Sequence, residues 1–105
     1  FSDPPEPADL VVCTDVMEHI EPDCVDAVLD DLCRCTLRGI FMTVATRPAK
    51  KTLADGRNAH LIQEQPGWWL PKILSRWDMQ IFHNSPGEFA LFATKKGEVV
   101  NGPLQ

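Results

Sequence analysis

The sequence predicts an α/β domain, a mixed four-stranded sheet with two helices packed on it, in the order β-α-β, long loop, α-β-β. Three observations carry that prediction. Two runs are apolar at nearly every position, Leu10-Val11-Val12-Cys13 and Ile40-Phe41-Met42-Thr43-Val44-Ala45, the pattern of parallel strands covered on both faces. Between them, apolar residues recur at three- and four-residue steps, which is the helical period. Near the end, Met79–Phe82 and Phe89–Thr94 flank the turn cluster Asn84-Ser85-Pro86-Gly87-Glu88, an antiparallel hairpin. The length of 105 residues holds one domain with a modest core.

Taken in order, Phe1 to Pro7 is acidic and rich in proline, hence a loop and not a signal peptide. The first strand is bounded by Asp9 and Asp15. Glu21-Pro22-Asp23 opens the helix, since proline suits a first helical position and acids suit the positive end of the helix dipole. Val25, Val28, Leu29, Leu32 and Cys33 form its apolar stripe, and Gly39 reads as its stop signal. The second strand follows at Ile40. Residues 47–65 show no regular pattern, and so long a connection in a compact domain is usually functional or mobile. Pro66 opens a second helix, expected to run to Trp77 with Trp69, Ile73 and Trp77 on one face and a bend at Pro71. Residues 1–96 are expected to form the domain, and 97–105 a tail without core-forming pattern.

Composition excludes several functions. A net charge of −5 argues against a nucleic-acid partner, which selects clustered lysine and arginine. No apolar run is long enough to span a bilayer, so a membrane partner is not expected and the chain reads as cytoplasmic. Cys13, Cys24, Cys33 and Cys35 lack the spacing of a zinc site or disulfide framework and read as reduced, mostly buried small apolar residues.

The segment Ala8-Asp9-Leu10-Val11-Val12-Cys13-Thr14-Asp15-Val16-Met17-Glu18-His19-Ile20 resembles class I S-adenosylmethionine-dependent methyltransferases. Many of these carry a strand ending in D-V-L-E-H-[IL], here Asp15 to Ile20. The likeness continues through the helix, the Gly39–Thr46 strand and Arg57–Ile62, which resembles the family's H-x-H-[LF] loop. The terminal hairpin also fits, since the family's sheet closes with an antiparallel strand slotted between two others. The resemblance implies the C-terminal half of a Rossmann-like methyltransferase sheet, with four of the family's seven strands. The glycine-rich cofactor turn has no counterpart among the six scattered glycines. It therefore implies a truncated domain that is catalytically weak by itself, with Phe1 an artificial start.

Site residues follow from the same resemblance. Cys13, Thr14, Asp15 and Val16, at the carboxyl end of a parallel strand, are where the cofactor S-adenosylmethionine would be contacted. His60 and His19 are the candidate catalytic groups, as general base or acceptor-orienting residues. The acceptor is a small molecule or metabolite. A second likeness, to metal-dependent small-RNA 2′-O-methyltransferases, would align Asp15, Glu18, His19 and His60 with a metal site. The acidic chain and an aspartate in place of a first glutamate speak against it, and no metal is assigned. Arg57 is a weak candidate for an anionic acceptor group, Trp69 a core residue, and Trp68 half-exposed. The alternative class is a non-catalytic, methyltransferase-like interaction module. Either way, an open first-strand edge is expected to recruit a second copy of the chain.

Overall fold

The computed structural model describes residues 6–97. All of the expected tail except Gly97, and the opening five residues, lie outside the described residues. The order of elements is as the sequence predicts: β1 (Ala8–Thr14), α1 (Val25–Cys35), β2 (Thr36–Ala45), α2 (Pro66–Leu74), β3 (Trp77–Ser85) and β4 (Glu88–Lys95). Two short 3₁₀ turns, Met17–His19 and Pro22–Cys24, lead from β1 into α1.

The sheet order is β1-β2-β4-β3. β1 and β2 are parallel, and β4 runs antiparallel between β2 and β3. The hairpin turn is Pro86-Gly87, with Gly87 at φ 82°. Proline followed by a positive-φ glycine is the signature of a type II turn.

Both helices pack on one face. Val25, Leu29 and Leu32 of α1 and Trp69 and Ile73 of α2 join Cys13, Ile40, Met42, Val44, Phe89, Leu91 and Ala93 in a single core. The ends of the helices are tied by Arg76, which donates to Asp30 (2.7 Å) and Asp26 (3.2 Å), and by Lys72, which donates to Asp26 (3.3 Å). Here the structure corrects an expectation. β1 and β2 are not covered on both faces: Leu10 is 53% exposed and Val12 61%. The register lines up Val12, Phe41, Phe92 and Ile81 across all four strands on the helix-free face. The runs are apolar at alternate positions that point away from both helices, and β1 is the edge strand.

Three local corrections have simple causes. Gly39 is not a helix stop but lies within β2. A Cβ there would meet the Phe92 ring at 2.9 Å, so the glycine makes room for a cross-strand aromatic. The helix ends at Cys35 instead, where the Thr36 hydroxyl donates to Leu32 O at 2.7 Å. The second helix stops at Leu74, and Trp77 begins β3, still fully buried. Pro71 sits inside that helix. Of the cysteines, Cys13 and Cys35 are buried and Cys33 half-buried, while Cys24 is exposed, contrary to expectation; none of the four is in a disulfide. Among the described residues, no helix is long and apolar enough to cross a membrane.

Candidate functional site

The site forms where β1 ends. At Asp15 the backbone enters the left-handed region, φ 57°, a conformation that costs a non-glycine residue of order 1 kcal/mol or more. The Asp15 amide donates to Thr43 Oγ1 of β2 at 3.3 Å. The turn reverses the chain into the 3₁₀ turn at Met17–His19, which Met17, fully buried, pins to the core.

Glu18 follows, a carboxylate only 1% exposed. Burying an ionised carboxylate is costly unless it is paired and hydrogen-bonded. Its Oε1 accepts the Ala45 amide at the end of β2 (3.2 Å), and its Oε2 faces His19 Nε2 at 3.6 Å. The Glu18 carbonyl accepts the Ile62 amide (3.1 Å). One residue thus joins the ends of both parallel strands to the long loop.

That loop, residues 46–65, is held by polar contacts more than by a core. The Asn58 side chain accepts the amides of Ala49 and His60 and donates to the Ala49 carbonyl, each at 2.9 Å. Thr52 and Asn58 form a single bridge. Arg57 donates both Nη atoms to Glu21 at 3.0 Å and its Nε to Asp55 at 2.8 Å. Arg57 is therefore engaged as a latch to the turn before α1. It holds the Glu21 carboxyl below its ordinary range, chiefly by hydrogen bonding, and does the same to Asp55. Sequence reasoning named Arg57 but missed Asn58; the signal lay in an amide side chain two residues before the loop histidine.

The loop brings His60 to His19. Their rings meet edge to face, centroids 4.8 Å apart. His19 Nδ1 contacts the Ala59 carbonyl at 2.9 Å, and His60 Nδ1 the Arg47 carbonyl at 2.6 Å. A carbonyl oxygen only accepts, so each Nδ1 carries the hydrogen, and in the neutral ring Nε2 keeps the lone pair. His60 is 8% exposed and His19 open to solvent. Glu18, His19 and His60 each present a ligand-type atom within 4.8 Å of the others.

The four strand-end residues are less uniform. Thr14 and Asp15 are exposed at the tip of the strand. Val16 packs half-buried against the core. Cys13, 4% exposed, turns its thiol into the core, where burial first and the Glu18 charge second push its pKa up to about 11. What Cys13 offers a ligand is its backbone. Trp69 is fully buried, its Nε1 donating to the Glu64 carbonyl (3.3 Å), and Trp68 is half-buried under the Lys72 ammonium, 5.0 Å from the ring centre.

No protein-family model matches the sequence, and no curated protein matches it. Among solved structures, the chain is similar to magnesium protoporphyrin IX methyltransferase (ChlM) from Synechocystis PCC 6803 with bound SAH. The TM-score is 0.63 at 18% identity, over 88% of this chain and 46% of that one. The chain thus spans about half the length of that structure, and at this identity the likeness is one of fold. The four-stranded mixed sheet with its two helices has the fold of part of a Rossmann-like methyltransferase domain.

Proposed function

We propose that the chain is the carboxyl-terminal half of an S-adenosylmethionine-dependent methyltransferase domain that acts on a small-molecule acceptor. The observation that carries this reading is the sheet order β1-β2-β4-β3, with β4 antiparallel between its neighbours, in a fold similar to a methyltransferase solved with SAH. SAH is the product left when S-adenosylmethionine gives up its methyl group. In open α/β sheets the ligand crevice lies outside the carboxyl ends of the strands. The strained Asp15 turn, Glu18, His19 and His60 gather at that end of β1 and β2.

In this reading Thr14, Asp15 and Val16, and Cys13 through its backbone, border the cofactor. His19 and His60 face the acceptor. Displacement at a sulfonium needs chiefly proximity and in-line alignment, with a base only where the acceptor must lose a proton. An Nε2 lone pair on a ring whose Nδ1 is already committed suits that duty. The bare Val12–Phe41–Phe92–Ile81 row and the open β1 edge are where the rest of such a domain would pack. In the chain alone the open β1 edge is where a second copy associates, since an unpaired apolar edge recruits other strands.

The bare face also favours a second reading, a non-catalytic module that binds a partner there. One experiment separates the two. Calorimetric titration of SAH into the protein read through its upstream frame should show a site of micromolar affinity, with much weaker binding to residues 1–105 alone. An extended protein that binds neither SAH nor S-adenosylmethionine would overturn the enzyme reading and leave the module.

A further inference from the structure

We infer that Arg57 is a positioning residue for His19: its ion pair with Glu21 seats the tip of the long loop so that the Ala59 carbonyl fixes which nitrogen of the His19 ring carries the hydrogen. What the remaining lone pair then does rests on the methyltransferase reading; the positioning itself does not.

Residues 51–59 form a small hairpin of their own. Thr52 and Asn58 make its bridge. The Ala59 amide donates to the Lys51 carbonyl at 3.0 Å, and the Leu53 amide to the Arg57 carbonyl at 2.7 Å. Gly56 closes the tip at φ 91°, a conformation that glycine takes without strain. Asp55 accepts the Arg57 amide at 3.0 Å and its Nε at 2.8 Å, which leaves both Nη atoms for Glu21. Every residue from 50 to 57 is exposed, so burial of apolar groups does not decide where this hairpin lies.

Two polar ties to the turn before α1 do. Arg57 donates Nη1 and Nη2 to the Glu21 carboxylate at 3.0 Å each, and His19 Nδ1 donates to the Ala59 carbonyl at 2.9 Å. Arg57 and Ala59 stand two residues apart on the hairpin, as Glu21 and His19 do on the turn, so the two ties lie side by side and loss of one loosens the other. The arginine fork is the stronger, because a bidentate charged pair fixes orientation as well as distance. The turn is the firm side, pinned by buried Met17 and by the Ala45 amide on Glu18. The Asn58 clamp does not substitute for the fork: it joins Asn58 to Ala49 and His60, all within the loop. His60 is likewise held from within the loop, by the Arg47 carbonyl, and is independent of the fork.

Which imidazole nitrogen keeps the hydrogen is set by the bond the other makes. With Nδ1 given to Ala59, the neutral His19 ring keeps its lone pair on Nε2. In the methyltransferase reading that lone pair faces the acceptor, so Arg57, three of whose nitrogens are committed to Glu21 and Asp55, serves the site without touching the acceptor.

The test uses the 105-residue chain with ¹⁵N-labelled histidine, at about pH 8, where an ordinary imidazole is neutral. Two-bond ¹H–¹⁵N spectra report where the hydrogen sits on each ring. The parent should show His19 chiefly with its hydrogen on Nδ1. Arg57→Gln should raise the share on Nε2 about two- to fivefold, the range of an exposed ion pair. Arg57→Lys, which keeps the charge and loses the fork, should fall between the two. Sodium chloride at about 1 M should move the parent toward Arg57→Gln and leave that variant where it is. His60, and His83 in β3, should keep their tautomers throughout. A His19 ring unchanged in Arg57→Gln would overturn the role, and so would hydrogen on Nε2 of His19 in the parent. A change shared equally by His60 and His83 would overturn it as well, since Arg57 would then only hold the fold together. SAH binding by the extended protein is a separate measurement, and either result can fail without the other.

Discussion

Among the described residues the sheet has one covered face and one bare face, and a pair of identical substitutions reads the difference. Val44 is fully buried beneath the helices, whereas Val12 is 61% exposed on the opposite face. Val→Thr keeps shape and β-branching and replaces one methyl with a hydroxyl. At Val44 that hydroxyl enters the core formed with Met42, Phe89 and Leu91. A buried hydroxyl without a partner costs about 1–3 kcal/mol. At Val12 water supplies the partner, and an exposed substitution of this kind stays within about 0.5 kcal/mol. The gap of about 0.5–2.5 kcal/mol is roughly two- to seventyfold in the folding equilibrium. Urea denaturation at low micromolar concentration measures it. Val44→Thr should lower the midpoint with an unchanged slope, and Val12→Thr should leave both in place. If Val12→Thr costs as much as Val44→Thr, that face is covered in solution and the single-sided sheet is wrong. A cost at Val12 that grows with protein concentration would assign the cover to a second copy.

Four further outcomes follow. Sedimentation should show self-association of the chain, reduced when Leu10, 53% exposed on the edge strand, is replaced by lysine; a monodisperse monomer in the parent chain would refute association through β1. Cys13, with its thiol pushed up to about 11, should resist alkylation at pH 8 while exposed Cys24 reacts, and equal labelling rates would contradict the burial. Asn58→Ala should destabilise by about 1–3 kcal/mol, because it strands the part-buried amides of Ala49 and His60; an unchanged urea midpoint would show that the loop does not depend on the clamp. Glu21, Asp26, Asp55 and Asp78 all titrate below their ordinary values beside Arg57, Lys72, Arg57 and Lys96 respectively. A depressed carboxylate stabilises the fold above its unfolded pKa and loses that contribution as pH falls through its folded one, so the midpoint should be level near neutrality and decline below about pH 4, modestly because these groups are solvent-exposed.

Much of the architecture was legible from residue pattern. The apolar runs, the three- and four-residue steps of Val25 to Leu32, and the Pro86-Gly87 turn each report a local period or a local dihedral, and those do not need the rest of the protein. What failed to read correctly depended on partners distant in sequence. Gly39 has the look of a helix terminator because glycine usually ends helices. Its actual constraint is the ring of Phe92, fifty-three residues away. Trp77 fits the helical stripe of Trp69 and Ile73, but it enters the core from the first position of a strand. The two-sided burial expected of β1 assumed helices on both faces, and an apolar run does not say whether both layers are supplied by the same segment of chain.

The site divides along the same line. His19 and His60 stood out as chemistry-bearing residues near a strand end and in a long loop, and a family likeness set them in one site. The residue pattern by itself did not show their meeting at 4.8 Å, because it depends on Asn58 and on backbone carbonyls, which have no signature in a residue string. The loop carries few buried apolar groups: Ile62 is its member of the core. Its shape is set instead by one amide clamp, one arginine latch and the Glu18 carbonyl. Such a loop can change its tip without disturbing the packed sheet, whereas Glu18 and His19 are bound to the sheet through Met17 and the Ala45 amide. Half of the constellation is therefore tied to the sheet and half to a loop that polar contacts shape. Binding groups are commonly carried on loops that a packed scaffold positions, and here the scaffold itself supplies Glu18 and His19.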